Sequence, residues 1–572
     1  MQSYLQYRRM GRAVERELKR PSGGTALSTT SPATRAAVST PQSWSRGTAM
    51  EESGSHDPEK LLPESSGPTS LLANEDAPSV DPIRSSVNVP DSGNRVRKGE
   101  NIKLVSWDGP DDPEKPRNWK LSKRLACTIQ ISIIATALAC AAGIDAAVLP
   151  QAAEDFGVSH VAESLSTGMY LIGQGVGCLV AGPFSETFGR NIVYTGSMVI
   201  FIFWILACGL APNFGAHITF RLLAGCAASA PLTCCGGSVS DMFNPLEKTW
   251  AFPIYAINAF GGPMLGAVMG AYIGPSTFVT WRWAEWTMLI LSGLVLVCIL
   301  LFMPETYEPV LLGWKAKHLR QATGDDRYHS EHEVGNITLF NRLKVSMTRP
   351  FVMATEPIIF AITVYLSLIY IVIFTFLVSW PWIFEYPYQI GQGLSNVIFI
   401  SMFIGLQLVY IIIPVIYKMT SNDIKSAQLE GGQFKPEIRL WYGMLGASCA
   451  IPVSLFWIGA TARPDVSIWS PILAVALFGY GIMGIFICIY MYVIDCYESY
   501  SASALTLAAF VRYCCAGAMT VVGIPLYSNM GTDHALYLLG GISALLAPIP
   551  FVFFKWGNLL RERSKYALSW TA

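Results

Sequence analysis

The stretch Asn258-Ala-Phe-Gly-Gly-Pro-Met-Leu-Gly-Ala-Val-Met-Gly270 lies inside an apolar run from about Trp250 to Ile273. Gly262, Gly266 and Gly270 recur every four residues, so on a helix they form one smooth stripe, with Gly261 directly before it. A stripe without side chains lets a neighbouring backbone approach closely, which is how helices pack in lipid. Pro263 removes one ladder hydrogen bond and is expected to bend the helix there. Ordinary tight packing is one reading of the pattern. A bent, glycine-faced helix midway along the chain also suits the seam between two rocking halves, and that is the expectation adopted.

The composition bounds what surrounds this stretch. The 572 residues are 52% hydrophobic and only 14% charged, with a mean hydropathy of +0.39, which describes a polytopic membrane protein and not a string of soluble domains. Net charge is zero, so no global field argues for nucleic acid or acidic partners. All 13 cysteines fall inside or at the edges of apolar runs, which indicates no disulfide framework, and no zinc spacing is present. His329 and His332 lie among acids in a polar stretch and read as solvated.

Apolar segments occupy roughly 125–149, 163–183, 192–211, 216–240, 250–274 and 284–303, then 356–380, 394–417, 438–460, 468–494, 503–526 and 535–554. Each is long enough to cross a hydrocarbon core of about 30 Å as a helix. Six plus six around a polar centre is the arithmetic of a two-halved transporter. The expected organisation is a disordered tail over 1–105, a pre-membrane collar over 106–124, a six-helix bundle over 125–304, a central loop over 305–350, a second bundle over 351–556 and a tail over 557–572. No apolar leader core precedes the first span.

Lys and Arg set the orientation. With the N-terminus inside, the inner loops hold Lys115, Arg117, Lys120, Lys123, Arg124, Arg190, Lys248, the basic residues from Lys315 to Arg349, Lys418, Lys425, Lys435, Arg439, Lys555, Arg561, Arg563 and Lys565; the outer loops hold Arg282 and Arg463. Both termini are therefore expected in the cytosol. The sequon Asn336-Ile-Thr338 falls on that side and is expected to stay unmodified.

Several motifs carry a family resemblance. The Gly-Pro-centred, glycine-spaced run Gly261–Gly270 resembles the antiporter motif in the fifth helix of exporters of the major facilitator superfamily. Gly182-Pro-Phe-Ser-Glu-Thr-Phe-Gly-Arg-Asn191 resembles that superfamily's cytoplasmic-loop signature, with Glu186 for the usual Asp, and Thr187 and Asn191 for basic residues. The resemblance makes Gly182, Glu186, Gly189 and Arg190 an inner gate, with a weakened charge network. Arg221-Leu-Leu-Ala-Gly225 is similar to the fourth-helix motif that the family links to proton transfer, with Ala224 where a Gln is common. The collar Trp107–Trp119 and the exit Pro304-Glu-Thr-Tyr-Glu-Pro-Val-Leu-Leu312 resemble fungal twelve-span drug:proton antiporters. That resemblance covers roughly residues 107 to 566. It implies an all-α major facilitator fold and export of drugs, toxins or self-made small molecules at the plasma membrane, driven by a proton gradient without other cofactor.

Charges within spans are costly and need partners. Arg221 and Asp145, both near the outer side, are expected to pair, either as a static ion pair or, as preferred here, as a proton-sensitive one. Glu285 reads as a rim charge or a cavity acid, and Asp495 and Glu498 as anchors of the inner interface. Gln174, Asn258, Tyr365, Tyr370, Gln407, Tyr480 and Arg512 are the candidate cavity residues, suited as a set to amphipathic organic molecules. A polyamine or other cation exporter would need Glu285, Glu356 and Glu385 to face the cavity. An importer, and a non-transporting receptor or scaffold, are the remaining alternatives. Gly173-Gln-Gly-Val-Gly177 lacks a preceding strand, and no Walker-type sequence occurs, so ATP is not expected to drive the protein. The expected partners are a small molecule, protons and the bilayer, with no nucleic acid, no metal, no enzymatic activity and a monomeric state.

Overall fold

A computed structural model describes residues 1–18, 102–334, 339–429, 435–497 and 500–567. Its helices run in chain order as α1 (Gln2–Leu18), α2 (Leu121–Ala147), α3 (Leu149–Phe156), α4 (His160–Phe188), α5 (Arg190–Gly209), α6 (Phe214–Met242), α7 (Pro245–Ile273) and α8 (Trp283–Phe302). A connecting set follows: α9 (Glu308–Thr323), α10 (Glu331–Val334) and α11 (Leu339–Met353). The second half comprises α12 (Pro357–Trp380), α13 (Tyr386–Tyr388), α14 (Gln392–Val397), α15 (Phe399–Leu429), α16 (Trp441–Met444), α17 (Ala447–Thr461), α18 (Trp469–Tyr497), α19 (Ser501–Met530), α20 (Thr532–Leu546) and α21 (Ile549–Glu562). Among the described residues, twelve helical stretches are long and apolar enough to cross a membrane, at the positions the apolar runs predict. Most run several residues past the apolar window, because a helix continues until a cap or a breaker stops it. Asn213 and Ser159 side chains accept the backbone N–H bonds that start α6 and α4. The last helix continues through Glu562, into the expected C-terminal tail.

Twelve crossings leave both chain ends on one face of the bundle, the terminal face; the opposite one is the distal face. The glycine stripe does its work inside the first half. A Cβ built on Gly266 would lie 2.2 Å from the Cys140 carbonyl oxygen, one on Gly262 2.6 Å from that of Thr136, and one on Gly270 2.5 Å from that of Ile144. All three neighbours are on α2, and Gly143 of α2 answers in kind, with 1.8 Å from its built Cβ to the Pro263 carbonyl oxygen. The stripe therefore welds the first span to the fifth, which corrects the expectation that it forms the seam between halves. Gly261, one residue out of phase, faces the Phe403 ring of the second half instead, 2.4 Å from its built Cβ.

The seam itself is formed chiefly by α4 against α19 and by α7 against α15. Gly168 and Gly517 meet backbone to backbone near the distal face, and the Gln392 amide there donates to the Ala147 carbonyl at 2.5 Å. At the terminal face Arg439 clasps the halves together: Nε to Asp495 at 2.7 Å, Nη1 to the Thr249 hydroxyl at 2.7 Å and Nη2 to the Pro245 carbonyl at 2.8 Å. Asp495 thus stands at the inner interface, as expected. Glu498 and the sequon Asn336–Thr338 lie outside the described residues.

One expectation of disorder and one of a loop need correcting. Residues 2–18 form α1 and not an unstructured tail, and the central stretch carries helices α9 and α11 in place of a loop. Met10 and Val14 bury one face of α1, and Val14 joins Val105, Ala316, Leu319 and Tyr328 in a small apolar core beneath the bundle. The strands β1 (Lys103–Leu104) and β2 (Tyr328–His329) pair in parallel beside it. The Gln6 side chain closes a two-way bond with the Glu305 backbone, at 3.2 and 3.0 Å. His332 bonds the Glu186 carbonyl at 3.0 Å, so it is not simply solvated.

Candidate functional site

Three constellations sit on this scaffold. The first is buried in the first half near its distal face. Asp145 ends α2, Glu163 opens α4, His217 and Arg221 lie one turn apart on α6, and Glu285 opens α8. Spacing of four residues puts His217 and Arg221 on one helix face, so both point into the same interior. The Arg221 guanidinium pairs with Asp145 and, at 2.7 Å, with Glu285, and it donates to the Ala141 carbonyl at 3.0 Å. His217 Nε2 lies 3.7 Å from Asp145 and 3.9 Å from Glu163. The Ser166 and Thr167 hydroxyls donate to Asp145 at 2.9 and 3.1 Å. Arg221 and His217 are fully buried, and the three carboxyl groups nearly so. Asp145, Glu163 and His217 bring one ligand atom each within 4.8 Å of the others, a cation-sized spacing. The guanidinium on Asp145 already supplies positive charge there.

The Asp145–Arg221 pair was legible in the sequence, and Glu285 resolves into a buried partner of Arg221, not a rim charge or a cavity acid. Glu163 and His217 were missed. His217 stands in the same apolar run as Arg221, and its four-residue offset from that arginine is the signal that could have found it.

The second constellation is a cavity of about 320 Å³ between the halves. It begins at mid-span among Gln174, Phe260, Tyr370, Phe486, Tyr490 and Arg512, and its lining reaches Glu186, Arg190 and Asp241 at the terminal end. Of the expected cavity residues, Gln174, Tyr370 and Arg512 line it. Asn258, Tyr365, Gln407 and Tyr480 do not. The Asn258 amide is turned back on its own helix, donating to Ile254 at 2.7 Å, and the Tyr480 hydroxyl is spent on the Leu445 carbonyl at 2.6 Å. Tyr365 is fully buried in packing, and Gln407 is half-buried on α15 away from the cavity. Position within an apolar run fixes depth but not helix rotation, and rotation decides which side chains reach the cavity.

The third constellation is the latch between α4 and α5. Gly189 turns the chain at φ 93°, a conformation that favours glycine, and a Cβ there would lie 2.6 Å from the Glu305 carboxylate. Arg190 pairs with Asp241 at 3.1 Å and donates to the Ser185 hydroxyl at 2.6 Å. Gly182 has open space around it, and Glu186 is exposed at the cavity mouth. Asp241 and Glu305 were not anticipated. Glu305 accepts the backbone N–H groups of Arg190, Asn191, Thr306 and Tyr307 at 2.9–3.1 Å, serving as an anionic cap on the start of α5. Burial pushes its carboxyl above the usual carboxylate range, against the pull of those four donors. Glu305→Ala strands buried N–H groups and is expected to cost about 1–3 kcal/mol, read as a lower melting temperature in detergent, with Glu305→Gln milder.

Two six-helix halves around a cavity, with a buried charge cluster in one of them, form the architecture of a membrane transporter. The sequence model of the Major Facilitator Superfamily matches residues 131–521, and the chain belongs to that family. It is 45% identical over 465 residues to the MFS-type transporter kojT of Aspergillus flavus, covering 81% of this chain and 82% of the relative. It is 31% identical to the major facilitator superfamily multidrug transporter FLU1 of Candida albicans, covering 81% and 76%. Among solved structures, the proton:xylose symporter XylE matches with a TM-score of 0.55 at 13% identity, covering 77% of this chain and 96% of that one. The human organic anion transporter MFSD10 matches with a TM-score of 0.51 at 14% identity, covering 76% and 100%. These two likenesses speak to the fold alone. The chain is a multi-pass membrane protein of a transporter family, and its relatives include a fungal multidrug transporter.

Proposed function

We propose that this transporter exports small amphipathic organic molecules in exchange for protons, at the plasma membrane, as a monomer with both termini in the cytosol. The observation that carries the reading is the charge count in the buried cluster. Asp145, Glu163 and Glu285 face one guanidinium, with His217 between them. Fully ionised carboxyls beside a neutral imidazole leave two uncompensated negative charges at a depth where isolated charge is costly. Two protons neutralise the cluster, and their arrival or departure changes how tightly Arg221 holds α2 against α8. A pair that reorganises with protonation inside one half biases the tilt of that half about the cavity.

With the basic residues crowded on the terminal face, the cavity described above is the inward-facing form. The cation-exporter reading is disfavoured, because none of the three acids it requires lines the cavity. Glu285 pairs with Arg221, Glu356 accepts the Lys565 backbone N–H at 3.2 Å, and Glu385 lies beyond Trp380 near the distal face. The Gly-Pro motif of α7 speaks against an importer. A scaffold role leaves the buried charge cluster and the cavity without a purpose.

Asp145→Asn is expected to abolish pH-driven export and leave folding intact, because the amide keeps the shape and the hydroxyl donors but carries no exchangeable charge. Accumulation of a drug and metabolite panel in a deletion strain, rescued by wild type or variant, checks this. Unchanged accumulation of every compound, together with reduced uptake of some nutrient, overturns the export assignment.

A further inference from the structure

Four buried arginines, Arg124, Arg221, Arg439 and Arg561, each hold a carboxylate: Glu247, Asp145, Glu437 for Arg561, and Asp495 for Arg439. Arg512 is the exception among the described residues. It stands on α19 at the middle of the cavity, 5% exposed, with tyrosine rings around it. Its Nη1 donates to the Tyr490 hydroxyl at 2.5 Å, and its Nε has no hydrogen-bond partner. The guanidinium lies 4.5 Å from the Tyr370 ring centre, 4.9 Å from that of Tyr513 and 5.5 Å from that of Phe486. The acids of the cavity wall, Glu186 and Asp241, are at its terminal end, and Asp241 is held by Arg190.

Ring faces stabilise a guanidinium but leave its donor edge unmatched. In a chamber walled at mid-span by apolar and aromatic groups, that edge is a fixed positive site with no carboxylate partner among the described residues. A planar fork of donors matches the two oxygens of a carboxylate or a similar delocalised anion. The surrounding rings of Phe260, Tyr370, Phe486, Tyr490 and Tyr513 offer stacking and edge contacts to a flat apolar body.

We propose that the cavity binds organic anions with a planar apolar body, and that Arg512 takes their anionic oxygens while the tyrosine cluster takes the ring. This deepens the exporter reading and rests on it for the direction of movement, not for the binding itself. The opposite charge preference follows for cations, which meet a guanidinium and no exposed acid at mid-span.

The test uses the full chain in lipid nanodiscs. Benzoate, 2-naphthoate and anthracene-9-carboxylate are each titrated against the matching amide, with binding followed by calorimetry. The expected result is that at least one carboxylate binds about 10-fold or more tighter than its amide, the scale of charge-assisted hydrogen bonds. Arg512→Gln removes that preference and leaves amide binding in place, and Arg512→Lys keeps part of it. If every carboxylate is matched by its amide in the wild type, or if well-folded Arg512→Gln retains the preference, the proposal is overturned. Should Arg512→Gln fail to fold, the wild-type comparison and Arg512→Lys decide. Proteoliposome flux under an imposed pH gradient separates the two claims. Carboxylate-selective binding without pH-driven flux sinks export and keeps the anion site. Flux of neutral or cationic aromatics alone does the reverse.

Discussion

Arg221→Ala is expected to destroy transport and to destabilise the first half by about 3–5 kcal/mol, the scale of a buried ion pair broken from one side. Asp145 and Glu285 would then face each other across the interior with their shared cation gone. Both loss of flux and a lowered melting temperature are predicted. Arg221→Lys keeps a charge but not the two-sided fork, so it is expected to restore stability better than transport. Adding Glu285→Gln to Arg221→Ala removes one stranded charge and is expected to recover part of the stability. A melting temperature unchanged by Arg221→Ala contradicts the cluster as described.

Gly143→Val is the second large effect, and it acts through shape. The built Cβ at this position lies 1.8 Å from the Pro263 carbonyl oxygen, and its neighbours are backbone atoms that cannot swing aside. Overpacking costs about 1–3 kcal/mol where side chains absorb it; a backbone contact offers no such relief. The first and fifth spans must separate, and little monodisperse protein is expected after extraction. Gly182→Ala is the control, because no atom lies within 4 Å of its built Cβ. Near-normal yield of the Gly143 variant, measured by size-exclusion chromatography, contradicts the close α2–α7 contact.

These two sites show what can and cannot be read from one sequence. Twelve spans were legible because the bilayer imposes a length and a polarity that no packing detail overrides. The Asp145–Arg221 pair was legible because charges inside apolar runs stand out and need partners. The partner of the glycine stripe was not. A stripe announces that some backbone approaches, and only the assembled bundle says that it is α2 and not the opposite half. Four expected cavity residues were lost for the related reason that helix rotation is set by neighbours. Glu163 stands at the edge of its apolar window, where sequence alone does not separate it from an acid in the first turn of a helix. The helix α1 was hidden by a polar composition; its apolar side is short and finds its cover in α9, nearly three hundred residues away.

The central claim is that protons on the buried cluster shift the balance between cavity states. Spin labels at His160 and Asn529, exposed at the distal ends of α4 and α19, report that balance as a distance distribution. Between about pH 5 and about pH 8, the wild-type distribution is predicted to change, while Asp145→Asn stays fixed across the range. Identical wild-type distributions at both ends of the range, with the labels mobile and the protein folded, would contradict the account.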